Sequence, residues 1–279
     1  MSATPEGLNM HTLRQIAARR RGARTYQHLL DRIGDHLDTH GGFVSWSGGK
    51  DSTVVVDLAR QVDPHVPVVF FDSGLQFPET LRYLEQQADK WQLNFQVIPA
   101  DPDLLTVLIA GGGFDHNAPD RVLPGTLADI MILKPAAAAH RRYGLGSLWG
   151  VRSEESTERR LLYRRHLASE SRARTDLAAE AVRAARGGVV RRKDGTVTYG
   201  PIWDWQRSYV FEYLAGRGIP LNPIYDKLAA LGMPDRQIRV DSIIDASKLS
   251  NGHIAWLQKG WPDLFDRLAT ALPRLPEWT

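Results

Sequence analysis

One segment predicts the architecture of the chain, namely Phe43-Val44-Ser45-Trp46-Ser47-Gly48-Gly49-Lys50-Asp51-Ser52. Its first four residues are typical of a short strand, and an apolar helix is predicted to follow up to Val62. The two glycines between them let the backbone turn and approach a ligand without a Cβ clash. Because backbone N–H groups and the dipole at a helix start attract anions, the segment predicts a phosphate-binding loop.

This loop differs from two common phosphate-binding motifs. A Walker A loop has four residues between its glycines and Ser or Thr directly after its lysine, whereas here the glycines are adjacent and Asp51 follows Lys50. The dinucleotide fingerprint G-x-G-x-x-G does not follow the strand either. Lys50 supplies a positive charge for a phosphate, and the hydroxyls of Ser47 and Ser52 can donate hydrogen bonds to it.

Strands and helices alternate along the rest of the chain. The nearly continuous apolar run at 66–71 is typical of a strand that is buried on both faces of a parallel sheet. Further strands are predicted at 95–98 and 147–151, and helices over 12–38, from Pro78 onward and over 126–142. A glycine-bearing turn at 193–195 predicts a hairpin. The alternation predicts an α/β fold, with a Rossmann-like parallel sheet flanked by helices and a mainly helical C-terminal extension.

Three consecutive regions are predicted from these elements. Residues 1–40 form an N-terminal helical segment, and residues 41–230 form the nucleotide-binding domain. That domain contains a basic insertion at 152–195. Residues 231–279 form the helical C-terminal extension.

Composition excludes several kinds of site. The chain has 279 residues, a formal net charge of +3 and no cysteine. Its residues therefore supply no disulfide, thiolate zinc site, iron–sulfur cluster or cysteine nucleophile. The N-terminus lacks the apolar core of a signal peptide, and no run approaches about 18 apolar residues. These features predict a cytoplasmic protein without a membrane partner.

Basic residues are concentrated in two places. One is the cluster Arg19, Arg20, Arg21 and Arg24, and the other is the segment 152–193, which has twelve Arg or Lys and six Asp or Glu. Such clusters are either solvated helix faces or contacts with a nucleic-acid backbone. The sequence leaves both interpretations open.

Three further segments resemble motifs of one family. They are Phe71-Asp72-Ser73-Gly74 with Phe77-Pro78-Glu79-Thr80, then Gly150-Val151-Arg152-Ser153-Glu154-Glu155-Ser156 with Arg159, and finally Pro201-Ile202-Trp203-Asp204-Trp205 with Ile219-Pro220-Leu221-Asn222-Pro223-Ile224-Tyr225-Asp226. Together with the loop, they follow in order over residues 43–230. The chain thus resembles the phosphoadenosine phosphosulfate (PAPS) reductase-like family of the PP-loop, or adenine nucleotide α-hydrolase-like, superfamily.

The resemblance implies a set of site residues. Nucleotide-binding candidates are Ser47, Gly48, Gly49, Lys50, Asp51, Ser52, Asp72, Ser73, Gly74, Arg152 and Arg159. Ser47, Lys50, Asp51 and Arg152 are the catalytic candidates, and no metal ligand is assigned. The resemblance implies that Asp72 lies near adenine and ribose, although the same residue could cap a turn. Arg152 would bind a phosphate, and the nearby Glu154, Glu155 and Glu158 either pair with arginines or bind Mg²⁺ or act as a base.

The missing cysteine changes the activity that the resemblance implies. PAPS reductases use a cysteine nucleophile, and these residues have none. The chemistry that remains is that of the PP-loop, in which ATP with Mg²⁺ is split into AMP and pyrophosphate and an acceptor is adenylylated for sulfur incorporation. The chain most resembles the ATP pyrophosphatase components of DNA phosphorothioation systems. A cysteine desulfurase would then donate a persulfide, and the segment 152–193 would contact DNA.

Two other functions stay open. One is a PP-loop ligase that acts on a small molecule, which would need no nucleic acid. The other is a non-catalytic protein that binds a nucleotide or sulfonucleotide. The intact Ser47–Ser52 loop favours an enzyme over a non-catalytic protein.

Overall fold

The computed structural model describes residues 10–19, 26–115, 125–240 and 253–279, apart from the side chain of Arg236. Its helices are α1 Met10–Arg19, α2 Gln27–His40, α3 Lys50–Val62, α4 Pro78–Trp91, α5 Leu104–Ala110, α6 Lys134–Tyr143, α7 Thr157–Ala173, α8 Ala179–Arg186, α9 Arg207–Arg217, α10 Ile224–Ala230, α11 His253–Gly260 and α12 Pro262–Ala271. A π-helical segment, Asp129–Leu133, precedes α6. Short 3-10 turns lie at Asp235–Gln237 and Leu275–Trp278.

A six-stranded sheet forms the centre of the fold. Its strands are β1 Phe43–Ser45, β2 Pro67–Asp72, β3 Asn94–Pro99, β4 Gly146–Trp149, β5 Val189–Arg191 and β6 Val197–Tyr199. Their order is β3-β2-β1-β4-β6-β5. Strand β1 pairs in parallel with β2 and β4, β4 pairs in parallel with β6, and the β5–β6 hairpin is antiparallel. This mostly parallel sheet confirms the predicted α/β fold and the predicted hairpin.

The strand order reverses at β1. From β1 the chain continues outward to β2 and β3 on one side, and it later returns to place β4 on the other side. In open α/β sheets, ligands bind outside the carboxyl ends of the strands at such a reversal. The segments that follow β1 and β4, which contain Lys50 and Arg152, therefore meet at this edge.

The chain forms two compact units. The first comprises Met1–Phe70, Gln87–Gln96 and Ala138–Leu221, and the second comprises Phe71–Gln86, Val97–Ala137 and Asn222–Thr279. The first contains β1, β4, β5 and β6 with the Ser47–Ser52 loop. The linear division at residues 40 and 230 stays a prediction.

A buried carboxylate fixes α3 within the first unit. The side chain of Asp57 is fully buried and accepts hydrogen bonds from the Tyr213 hydroxyl at 2.7 Å and from Arg217 Nε at 2.9 Å, both on α9. Arg60, one turn further along α3, pairs with the same carboxylate. Because a buried charge is stable only when it is paired and hydrogen-bonded, this network holds α3 against α9.

The continuous helix predicted over 12–38 is wrong at Tyr26. Helix α2 begins only at Gln27, and Tyr26 before it is not helical. Its ring lies 4.9 Å from that of Tyr213 and 5.6 Å from that of Trp205, so tertiary aromatic packing overrides the local helical pattern there. Residues 20–25 lie outside the described residues, and so do three members of the basic cluster, Arg20, Arg21 and Arg24.

In the second unit, the start of α4 anchors the C-terminal segment. Glu79 accepts hydrogen bonds from Lys227 Nζ at 2.8 Å and from Trp261 Nε1 at 3.0 Å. The Thr80 hydroxyl accepts from the Asn222 side chain and donates to the carbonyl of Val240. Glu79 and Thr80, which belong to a family-like motif, thus connect parts of the chain that are far apart in sequence.

No helix among the described residues has the length and apolar character needed to cross a membrane.

Candidate functional site

The predicted loop lies between the carboxyl end of β1 and the first turn of α3. Gly48 has a φ of +74°, a conformation that L side chains rarely adopt, and Gly49 is the N-cap residue of α3. The hydroxyl oxygens of Ser47 and Ser52 are 3.1 Å apart, and the Gly49 amide donates to Ser47 Oγ at 3.4 Å. The loop is therefore a tight backbone turn, with both serine hydroxyls at the start of the helix.

Gly150, the first residue after β4, packs directly against this turn. A Cβ at Gly150 would lie 2.3 Å from the backbone nitrogen of Ser52 and 2.4 Å from its Cα. No side chain fits in that space, because both neighbouring atoms belong to the backbone. The absence of a side chain here lets the segment after β4 reach the start of α3. In the sequence, Gly150 belongs to a motif without an assigned role, although a glycine directly after a strand is a signal of close backbone approach.

A carboxylate joins the two segments. Asp51 Oδ1 accepts a hydrogen bond from Arg152 Nε at 2.6 Å, and Asp51 Oδ2 lies 2.5 Å from Lys50 Nζ. The Asp51 side chain is 11% exposed and that of Arg152 is 4% exposed. Three sequence-predicted residues thus form one nearly buried ion cluster at the carboxyl edge of the sheet.

Arg152 has further carboxylate partners. Its Nη1 donates to Glu154 at 2.6 Å, its Nη2 lies 3.8 Å from Glu155, and its backbone N–H donates to Glu155 at 3.0 Å. Glu155 also pairs with Arg159, which is about half exposed in the first turn of α7. Glu154 and Glu155 therefore pair with arginines in the structure, while the Mg²⁺ or base role stays a prediction. The structure places Arg159 at the outer end of this chain of ion pairs.

The charges in the cluster determine the ionisation of Asp51. Burial by itself raises the pKa of the Asp51 carboxyl, but the positive charges and hydrogen bonds of Lys50 and Arg152 outweigh it and lower that pKa below its ordinary value. The carboxylates around Arg152 raise the pKa of its guanidinium despite burial. Asp51 and Arg152 are therefore both charged at neutral pH.

Asp72, Ser73 and Gly74 follow in the second unit. Asp72 is the last residue of β2, and its Oδ1 accepts a hydrogen bond from the Gly74 amide at 2.8 Å, which is a turn-capping contact. The Ser73 hydroxyl accepts from the Gln76 side chain at 3.0 Å, and Gly74 has a φ of +82°. These residues form a capped turn at the carboxyl end of β2, and their contact with a nucleotide stays a prediction.

The basic insertion is mostly helical. Helices α7 and α8 pack against each other, and α7 also contacts β5. Ser156 caps α7, because its hydroxyl accepts from the Arg159 amide at 3.1 Å. On α7 the side chains of Arg160, Arg164 and Arg165 are exposed, while Tyr163 is buried beside Trp203. The insertion therefore exposes charged side chains on the outer side of α7, while Tyr163 on its inner side packs against Trp203.

Among the described residues, no group of three or more His, Cys, Asp or Glu side chains is arranged to hold a metal ion. Asp51 is the one acidic residue within the Ser47–Ser52 segment. Mg²⁺ usually keeps several waters and binds through one or two carboxylates together with substrate phosphates. The site thus fits a magnesium ion that enters as part of a nucleotide complex rather than one held by a protein cage.

The family model described as "Phosphoadenosine phosphosulfate reductase domain" matches residues 42–234. A PAPS reductase of Serratia proteamaculans is 27% identical over 196 residues, which are 69% of this chain and 68% of the relative. That of Thiocapsa roseopersicina is 27% identical over 197 residues, 66% of each protein. The chain thus spans about two thirds of the length of these relatives. The PAPS reductase structure from Candida auris covers 81% of this chain and 93% of its own, with 13% identity and a TM-score of 0.48.

The close approach at Gly150 gives a testable prediction. Gly150→Ala should lower the free energy of unfolding by about 1–3 kcal/mol, because the added methyl group meets backbone atoms that side-chain movement cannot clear. Gly216→Ala on α9 is the matched control, since a Cβ at Gly216 would meet nothing within 4 Å. That variant should be neutral or about 0.5–1 kcal/mol more stable. Urea denaturation measures both, and equal stability of the two variants would contradict the close packing.

The contribution of Asp51 to the free energy of unfolding should depend on pH. Asp51→Asn should lower the free energy of unfolding at pH 7 by about 3–5 kcal/mol, because Lys50 and Arg152 would lose their shared carboxylate. Since the folded-state pKa lies below the unfolded value of about 3.9, the stabilisation is present above that pH and is lost as pH falls through the folded-state pKa. The difference between wild type and variant should therefore shrink in acid.

The control for this prediction is Asp38→Asn, on an exposed position of α2. It should change the free energy of unfolding by less than about 0.5 kcal/mol. Denaturation curves at several pH values between neutral and strongly acidic measure the effect. A wild type and an Asp51→Asn variant that differ equally at all pH values would show that the Asp51 charge does not stabilise the fold.

Proposed function

The chain belongs to the phosphoadenosine phosphosulfate reductase domain family, and from this premise we propose that it is an ATP pyrophosphatase. It would convert ATP to AMP and pyrophosphate and activate an acceptor by adenylylation for sulfur incorporation, in DNA phosphorothioate modification. The observation that carries the proposal is the Ser47–Ser52 loop at the start of α3, with Lys50, Asp51 and Arg152 gathered beside it.

The proposed reaction occurs at the α-phosphorus of ATP. An acceptor oxygen forms a bond to that phosphorus, the bond to the bridging oxygen breaks, and pyrophosphate leaves with the electron pair. The product is the adenylylated acceptor, and free AMP forms where water attacks in place of the acceptor. The backbone at Gly48 and Gly49 lets the loop approach the leaving group closely, and the Ser47 and Ser52 hydroxyls can donate to it. Lys50 offsets its negative charge. Such positioning and charge neutralisation are the main sources of catalysis in phosphoryl and nucleotidyl transfer.

Arg152 would act on the phosphates by exchanging partners. Its guanidinium is almost fully buried, so a phosphate reaches it only by replacing a carboxylate. Glu154 is the partner most easily replaced, because its side chain is 55% exposed and solvent screens the pair. Asp51 would keep the guanidinium in place during this exchange. We assign Arg159, at the end of the same ion-pair chain, to the rim of the nucleotide site.

The nucleotide enters in our proposal as its magnesium complex. The ion neutralises part of the pyrophosphate charge, and Asp51 is the loop carboxylate that would approach it. Asp72, Ser73 and Gly74 are proposed to contact adenine and ribose, since they form the turn at the carboxyl end of β2.

The acceptor and the sulfur donor complete the proposal. The chain has no cysteine, so sulfur would arrive as a persulfide on a partner such as a cysteine desulfurase. DNA is the proposed acceptor, because the exposed arginines of α7 give the insertion a basic surface suited to a phosphate backbone.

The loop assignment is tested by Lys50→Ala. This variant should release pyrophosphate from ATP at least about 10²-fold more slowly, because the leaving group loses a charge partner. Lys90→Ala removes an exposed lysine in the last turn of α4 and should leave the rate unchanged. The assay measures AMP and pyrophosphate from ATP with Mg²⁺, DNA and a persulfide donor. Undiminished release by Lys50→Ala would remove the loop from the reaction.

The same assay separates the other two functions. A small-molecule ligase would form pyrophosphate only with its own acceptor, and oligonucleotides would not compete with that acceptor. A non-catalytic binding protein would bind ATP or PAPS in calorimetry but release no pyrophosphate under any of these conditions.

The DNA-binding role is tested on α7. Arg164→Gln/Arg165→Gln should weaken binding to duplex DNA and reduce the slope of log K against log salt by about 0.9 for each phosphate that is no longer neutralised by an arginine. Arg141→Gln/Arg142→Gln, which removes two exposed charges from α6, is the matched control and should bind as wild type does. Fluorescence anisotropy at several salt concentrations measures both. Identical slopes in the two double variants would argue against α7 as the DNA-binding surface.

A further inference from the structure

A second basic site lies in the first unit, on elements other than the phosphate-binding loop. It is a cleft of about 260 Å³ between one face of α2, the end of α8 and the β5–β6 hairpin. From α2 it is lined by Arg32, Asp35, His36 and His40, which lie three or four residues apart and so share one helix face. None of these residues is used in the proposed reaction.

Positive charge predominates in the cleft. Three guanidinium groups line it, those of Arg32, Arg186 and Arg191, against the single carboxylate of Asp35. Glu170 approaches from α7, with its Oε1 3.6 Å from Arg191 Nε, but this pair is partly exposed and therefore weak. With neutral histidines, the lining residues carry a net charge of two positive units, which matches a dianion.

Burial is the main reason that both histidines stay neutral, and nearby positive charges add to its effect. Burial, followed by the nearby charges of His40, Arg191 and Arg32, lowers the pKa of His36 to about 4. Burial, Arg191 and Arg186 lower the pKa of His40. Positive charge near both rings thus lowers their pKa values further than burial does by itself.

One wall of the cleft is rigid. Arg32 donates from Nη2 to the Gly187 carbonyl at 2.7 Å, and its Cζ lies 4.6 Å from the centroid of the Tyr199 ring. Tyr199 is 1% exposed, and its hydroxyl has no hydrogen-bond partner in the described part of the chain. A buried hydroxyl without a partner costs stability, so a ligand that satisfies it gains affinity.

We infer that this cleft is an anion site that binds the phosphate monoester group of a small molecule. A terminal phosphate carries the two negative charges that the arginines offset, and guanidinium groups bind phosphate oxygens in a fork geometry. The site is a cavity rather than a flat surface, so it suits a protruding terminal group better than the phosphodiesters of a duplex. The inference is independent of the proposed ATP chemistry.

The test uses the ring signals of His36 and His40 in the NMR spectrum of the full chain, with AMP, inorganic phosphate and duplex DNA as separate probes. AMP and phosphate should shift both signals saturably, while His65, in the turn before β2, should not respond. The shifts should persist in Lys50→Ala, which separates this site from the phosphate-binding loop.

Charge variants complete the test. Arg186→Gln/Arg191→Gln should weaken AMP binding at this site by about tenfold or more, since two charged donors are removed. Arg192→Gln/Lys193→Gln removes two positive charges from adjoining exposed positions and should change the affinity less than about twofold. The inference is overturned if neither AMP nor phosphate shifts the signals, if only DNA does, or if both double variants bind AMP equally.

Discussion

The Asp51 carboxylate, shared by Lys50 and Arg152, is the interaction on which the candidate site depends. It joins the first turn of α3 to the segment after β4, and the two residues of its buried pair are 101 positions apart in the chain. Without it, two positive charges would face each other in a nearly dry place, where repulsion is weakly screened. The carboxylate makes it possible to hold two cations beside the Ser47–Ser52 turn, which is the arrangement that the proposed phosphate binding requires.

This arrangement has a cost for ligand binding. In the described conformation, Arg152 pairs with Asp51, Glu154 and Glu155, so the phosphate of our proposal would compete with carboxylates that are already bound. The competition is uneven, because Asp51 is nearly buried and Glu154 is mostly exposed. The ion pairs therefore favour replacement of Glu154, on the exposed side of the Arg152 guanidinium. The buried Asp51–Arg152 pair would keep the arginine beside the loop.

Local features of the fold were predictable from the sequence, whereas features that depend on distant parts of the chain were not. The turn at Ser47–Ser52 follows from glycines and a helix start, and the apolar run before Asp72 follows from burial in a parallel sheet. The Asp51–Arg152 pair depends on the strand order, which places β4 beside β1. A Cβ at Gly150 would lie 2.3 Å from the Ser52 backbone nitrogen, a close approach that no periodicity reveals. Tyr26 leaves the helical pattern because distant aromatic rings pack on it.

The basic segment 152–193 shows why a charge count does not define a binding surface. Arg152 is buried in the loop cluster, and Arg183 lies 4.5 Å over the Trp203 ring while pairing with Asp204. Arg174 and Arg191 both approach Glu170. A nucleic acid would therefore meet mainly the exposed arginines of α7. The arginines of the segment are thus divided among the Asp51 ion cluster, the contact with Trp203, the cleft at Arg191 and the exposed face of α7, so their number by itself does not define one binding surface.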